Sequence, residues 1–206
     1  MNICLNNLKP SYFEDSEIVN SEVYGIENLC FQEGYKYLIS AHSGKGKSSL
    51  LNFIYGTNKK FIGEINFSSQ ISNPSKVKQL SYVFQDLKLF EEITVLQNIA
   101  LKNELTQHKS AQEIKDYLLA FNLWHKKDVL LKKMSYGQRQ RIAIIRALCQ
   151  PFIFLLLDEP FSHLDNENIK IAWSIIKKEV ALNNAGLIMI SLGNNYGIAF
   201  DKVLCL

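Results

Sequence analysis

No stretch of this 206-residue chain approaches the roughly 20 consecutive apolar residues that span a bilayer. The longest pure apolar run, Phe152 to Leu157, has the length of a strand. An excess of one charge is also missing: 23 Lys and Arg face 20 Asp and Glu, and the formal net charge is +3. That is too mild to mark a nucleic-acid surface, and no nucleic-acid partner is expected. No basic segment followed by an apolar core opens the chain, so no signal peptide is expected. Cysteine is scarce and scattered over Cys4, Cys30, Cys149 and Cys205, with no C-x-x-C pair. A zinc or redox centre is therefore not expected, and such thiols suit a reducing compartment. There is no internal repeat and no low-complexity linker. With 47% hydrophobic and 21% charged residues, what is left is one globular domain or a tight pair of subdomains. A large multidomain assembly and a self-contained membrane-spanning protein are both excluded.

Short apolar segments alternate with amphipathic ones, the pattern of an α/β fold with a mainly parallel sheet. Tyr37-Leu38-Ile39, Gly63 to Phe67, Leu80 to Phe84, Phe152 to Leu157, Leu187 to Ser191 and Lys202 to Leu206 read as strands. Phe152 to Leu157 is apolar throughout, as a strand buried on both faces must be. Leu50, Phe53 and Ile54 give a helical stripe that Gly56 would end. Thr94 with Gln97, and Ser110 with Glu113, read as capping boxes, in which a hydroxyl and a residue three places on satisfy each other's backbone N–H. Ile114, Leu118 and Phe121 continue the second of these helices. Asp165 caps a helix whose buried face is Ile169, Trp173, Ile176 and Val180. A helical insert over roughly 87–148 interrupts the α/β core.

Chemistry concentrates in two places. Ala41-His42-Ser43-Gly44-Lys45-Gly46-Lys47-Ser48-Ser49 lies between a strand and a helix. Small residues let successive backbone N–H groups curl around phosphate oxygens, and the helix N-terminus adds its dipole. Lys47 would reach the β- and γ-phosphates, and the Ser48 hydroxyl would ligate Mg²⁺. The pattern GxxxxGK[ST] is met except at its first position, where Ala41 replaces glycine. The second place is Asp158-Glu159-Pro160, two carboxylates at the end of the buried strand, where ligands of open α/β sheets gather. Asp158 is placed to hold Mg²⁺ and Glu159 to polarise a water as general base.

With these in place, the chain resembles the nucleotide-binding subunit of ATP-binding cassette (ABC) transporters, from about Ile26 onward. Tyr82-Val83-Phe84-Gln85-Asp86 is similar to the family's Q-loop. Met134-Ser135-Tyr136-Gly137-Gln138-Arg139-Gln140-Arg141 is similar to its signature, and Ser162-His163-Leu164-Asp165 to its D-loop. Five motifs in order make the resemblance specific. The run VFQDLKLFEEITVLQNI most resembles the short ATPases of the lipoprotein-release, macrolide-export and cell-division groups. The resemblance implies a P-loop NTPase. Its RecA-like core has a mainly parallel sheet, an N-terminal antiparallel β part and an α-helical subdomain insert.

It also implies ATP and Mg²⁺ as ligands, sandwiched between two head-to-tail cassettes, here two copies of this chain. Ser43, Gly44, Lys45, Gly46, Lys47, Ser48 and Ser49 would bind the nucleotide of one copy. Ser135, Gly137 and Gln138 would meet the nucleotide of the other. Ser48, Gln85 and Asp158 would hold the metal, with Glu159 and Gln85 catalytic. The implied partner is an integral membrane permease, and the implied location is the cytoplasmic face of the membrane.

Three positions depart from the family pattern. Tyr136 stands in place of the signature's first glycine. Leu192 stands where the family has a histidine that contacts the γ-phosphate. Ile18 occupies the spacing of the adenine-stacking aromatic, with Tyr12, Phe13 and Tyr24 nearby. Two functions follow: a transport ATPase with slow turnover, or a nucleotide-gated regulatory dimer with little turnover. A nucleoside monophosphate kinase would lack the patterns at 134–141 and 158–165, and a DNA-repair ABC protein would need long coiled-coil insertions.

Overall fold

A computed structural model describes residues 1–40, 44–68 and 80–206. Two sheets form the core. The first is antiparallel, in the order β2-β1-β4, from β1 (Asn2–Pro10), β2 (Leu29–Gln32) and β4 (Phe61–Ser68). The second is parallel, in the order β5-β6-β7-β3-β8. Its strands are β3 (Lys36–Ser40), β5 (Leu80–Val83), β6 (Phe154–Asp158), β7 (Gly186–Ser191) and β8 (Lys202–Cys205). The expected α/β class with an added antiparallel part is what the chain adopts.

Every residue of β6 and β7 is buried, because both faces of the parallel sheet are covered. Leu155, Leu157, Leu187 and Met189 face one apolar cluster, shared with α2 (Val95–Glu104), α3 (Ala111–Ala120), α4 (Tyr136–Leu148) and α5 (Asn166–Leu182). Phe154, Leu156, Ile188 and Ile190 face a second cluster, shared with α1 (Lys47–Tyr55) and the antiparallel sheet. Alternate residues of one apolar run thus serve two cores.

The capping chemistry follows the sequence closely. Thr94, Ser110 and Ser135 each close a reciprocal box with Gln97, Glu113 and Gln138, and Asp165 accepts from the Asn168 N–H. Of the expected face of α5, Ile169, Ile176 and Val180 are buried, whereas Trp173 packs at the edge of the cluster and Ala172 takes the interior.

Two features were not foreseen. Cys4 and Cys30 form a disulfide, so the expectation of four free thiols is corrected. The antiparallel register of β1 and β2 sets the two residues directly opposite each other, with Cα atoms 4.1 Å apart. Their separation of 26 in sequence hides this. The second is a buried polar knot. Lys109, ahead of α3, pairs with Glu179 of α5 at 2.8 Å, and the Tyr117 hydroxyl of α3 donates to the same carboxylate. Burial opposes the Lys109 ammonium, yet Glu179 and Glu113 outweigh it and hold the lysine above its ordinary pKa. Removing one partner strands the other charge in the interior. Glu179→Ala should therefore lower the unfolding free energy by about 3–5 kcal/mol, read by chemical denaturation. A loss below about 1 kcal/mol would show the knot to be solvated.

Candidate functional site

Strands β3, β5, β6 and β7 run parallel, so their C-terminal ends open on one edge. The described part of the phosphate loop, Gly44 to Ser49, sits there. Ser43 and Ala41 lie outside the described residues. Gly46 takes a left-handed φ of 75° at the start of α1, a conformation that favours glycine, and no side chain caps this helix. A helix start with no side-chain cap suits an anion. The Tyr24 hydroxyl donates to the Gly46 carbonyl at 2.7 Å and fixes the loop from beneath.

A cleft of about 290 Å³ opens over this loop, lined by Tyr12, Gly46, Lys47, Ser48, Gln85 and Glu159 among others. Lys47 is buried and pairs with the Glu159 carboxylate at 3.5 Å. Lys45 is exposed. The Ser48 hydroxyl donates to Gln85 Oε1 at 3.2 Å, and the Ser49 and Tyr12 hydroxyls lie 2.7 Å apart. Asp158 ends β6 with only 2% exposure. Its Oδ2 accepts a long 3.4 Å bond from the Tyr82 hydroxyl, and its Oδ1 is buried with no partner. Burial pushes its pKa up, Glu159 adds to this, and the Ser48 and Tyr82 hydroxyls and Lys47 pull the other way. Glu159 follows in a left-handed turn, φ 48°, held by its N–H to the Ile190 carbonyl.

An unpartnered buried carboxylate oxygen beside a serine hydroxyl and an amide oxygen is a hard, all-oxygen donor set. Among the described residues no cluster of three His, Cys, Asp or Glu side chains could cage a metal alone. These donors fit an ion of the Mg²⁺ type that takes its remaining ligands from phosphate and water.

Ser135, Gly137 and Gln138 do not line this cleft. Ser135 caps α4, and the Gln138 side chain accepts from the Ser135 N–H at 3.1 Å, so Gln138 is spent on its own helix end. Gly137 is packed so closely that an added Cβ would come within 2.8 Å of the His163 carbonyl oxygen. Buried Gln140 donates to the Glu159 carbonyl at 3.1 Å and accepts from the His163 N–H at 3.2 Å. The sequence reading gave Gln140 no role.

The departures resolve differently. Leu192 is 56% exposed just past β7, and the Ser191 hydroxyl before it is buried without a partner. Ile18 lies against Gly25 and is not among the residues that line the cleft. The aromatic at the cleft is Tyr12, 56% exposed and backed edge-on by Phe13, which in turn meets Tyr24.

Residues 26–162 match the model of the ABC transporter family. The ABC transporter ATP-binding protein PEB1C of Campylobacter jejuni is 33% identical over 173 residues, covering 80% of this chain and 72% of that protein. The lipoprotein-releasing system ATP-binding protein LolD of Saccharophagus degradans is 33% identical over 199 residues, covering 91% and 86%. A bacterial ABC transporter cassette solved as a dimer superposes with a TM-score of 0.81 at 23% identity, covering 99% of this chain and 94% of that one, which shows a shared fold. A family match over most of the chain, relatives a third identical and a phosphate loop facing an acidic strand end agree: the chain belongs to the ABC transporter family, as an ATP-binding subunit.

Proposed function

We propose that this chain hydrolyses ATP, slowly, at the interface of two copies of itself, and so drives an integral membrane permease from the cytoplasmic face. The carrying observation is a division of the motifs. Lys47, Ser48, Gln85 and Glu159 share one cleft, and Asp158 lines an adjoining cleft that shares Ser48 and Gln85, while Ser135, Gly137 and Gln138 line neither. A chain with two half-sites needs a second cassette to complete either. No described helix is long and apolar enough to cross a membrane. The relatives named as lipoprotein-releasing ATP-binding proteins support a transport role of this kind. The reading treats residues 1–206 as a single ABC ATPase domain. Its core covers about 1–86 and 149–206, and its helical subdomain about 87–148.

In this reading Gly44 to Ser49 wrap the phosphates with their N–H groups, and Lys47 reaches the terminal ones. Ser48, Gln85 and Asp158 would hold Mg²⁺, which would supply positive charge to offset the negative charge of the phosphates. Tyr12 offers its exposed ring to adenine. Lys47 and Glu159 are partners before nucleotide arrives. Phosphate must draw the lysine away, which frees the Glu159 carboxylate to take a proton from the attacking water. Leu192 presents no donor to the γ-phosphate. The absence of one transition-state donor costs about 10²–10³ in rate, which is why turnover is slow.

Glu159→Gln should reduce phosphate release by about 10²–10⁴ while ATP binds at least as tightly, because a neutral amide competes less for Lys47. Weaker binding of a fluorescent ATP analogue by this variant would contradict the Lys47–Glu159 exchange. Leu192→His should raise turnover, by up to about 10²; equal rates would show that the leucine is no handicap. Tyr12→Ala should weaken nucleotide binding by about 1–3 kcal/mol, and an unchanged affinity would remove Tyr12 from the site. Specific activity should fall on dilution as dimers part, and activity per chain that stays constant into the monomer range would rule out half-sites.

A further inference from the structure

The side chain that replaces the signature glycine is engaged within its own chain. The Tyr136 hydroxyl donates to the Gln85 carbonyl at 2.9 Å, and its ring rests on the His163 ring with centroids 4.3 Å apart. A glycine could make neither contact. Gln85 is thereby held at two points, its carbonyl by Tyr136 and its side-chain oxygen by Ser48. The backbone after Gln85 is unusual. Leu87 and Lys88 both take left-handed φ values, 62° and 47°, which L side chains avoid without outside support. That support comes from α4. Tyr136 at its start holds the Gln85 carbonyl, and Arg146 near its end donates to the Lys88 carbonyl at 2.6 Å. Tyr136, Gln85, Ser48 and Asp158 also line a common cleft of about 420 Å³ on the metal side of the phosphate loop.

The geometry points to Tyr136 as a positioning residue: its hydroxyl sets Gln85 for the metal of its own chain's site, and so couples the start of α4 to nucleotide bound there. Tyr136 acts through the Gln85 backbone. The inference rests on the ATP reading above. It adds that one copy's signature senses its own nucleotide before meeting the other copy's. Tyr136→Phe keeps the ring on His163 and removes the hydroxyl.

The test uses the full chain and a fluorescent ATP analogue, with and without Mg²⁺. The quantity read is the ratio of affinities in the two conditions. In Tyr136→Phe that ratio should fall about three- to tenfold, the worth of one ordinary hydrogen bond. In a Gln85→Ala background the same substitution should change it no further, since coupled residues are not additive. A ratio within about twofold of the unsubstituted chain overturns the inference, as does an equal fall with Gln85 already removed. Should the unsubstituted chain bind no nucleotide in either condition, the ATP reading itself fails, an outcome distinct from the other two. Amide hydrogen exchange over residues 84–88 gives a second readout, with faster exchange expected in Tyr136→Phe and unchanged exchange counting against it.

Discussion

Everything at the site depends on burying β6 from both sides. Four consecutive apolar residues leave no polar face, so the strand is stable only between two layers. The helices of the insert and α5 supply one layer, and α1 with the antiparallel sheet supplies the other. Because neighbouring strands are parallel, β3, β6 and β7 all end at one edge. Asp158 and Glu159 emerge there beside the phosphate loop. The lysine that faces them has a partner, Glu159, before any ligand is present.

Helix ends divide the labour. Among the described residues, α2, α3, α4 and α5 all begin with a side chain that satisfies their own N–H groups. Helix α1 begins with a left-handed glycine and no such cap. An uncapped helix start is a deficit in a folded chain, and phosphate is the natural ligand to remove it. The start of α4 is different: its box is closed, so whatever it offers a second cassette must come from exposed Ser135 and from the remaining backbone N–H groups.

Much of this was legible in the sequence because it is local. A capping box spans three residues, the phosphate loop nine, and the acidic pair stands directly after its strand. Periodicity found β6 and the stripe Ile114, Leu118 and Phe121, all buried. What stayed hidden depends on register between distant segments. Cys4 meets Cys30 only through an antiparallel pairing, and Lys109 meets Glu179 only when α3 packs on α5. Spacing placed Ile18 at the adenine position. Residues between β1 and β2 follow no fixed period, so counting backward from the loop does not show that Tyr12 lines the cleft. Tyr136 read as a damaged glycine, because its partner lies 51 residues away.

Helix α4 has a mechanical consequence. It is about 20 Å long and is tied to a single short stretch of chain at three points. Tyr136 bonds Gln85, Arg146 bonds Lys88, and the Ala147 carbonyl accepts from buried Ser81 on β5 at 2.6 Å. A rod pinned near both ends to the same segment cannot pivot about either end. Its start and end are held to that segment, and Gln140 fastens its middle to the Glu159 turn as well. The signature thus travels as a rigid extension of the strand-to-loop step at residues 81–88, with little slack to absorb a displacement along the way.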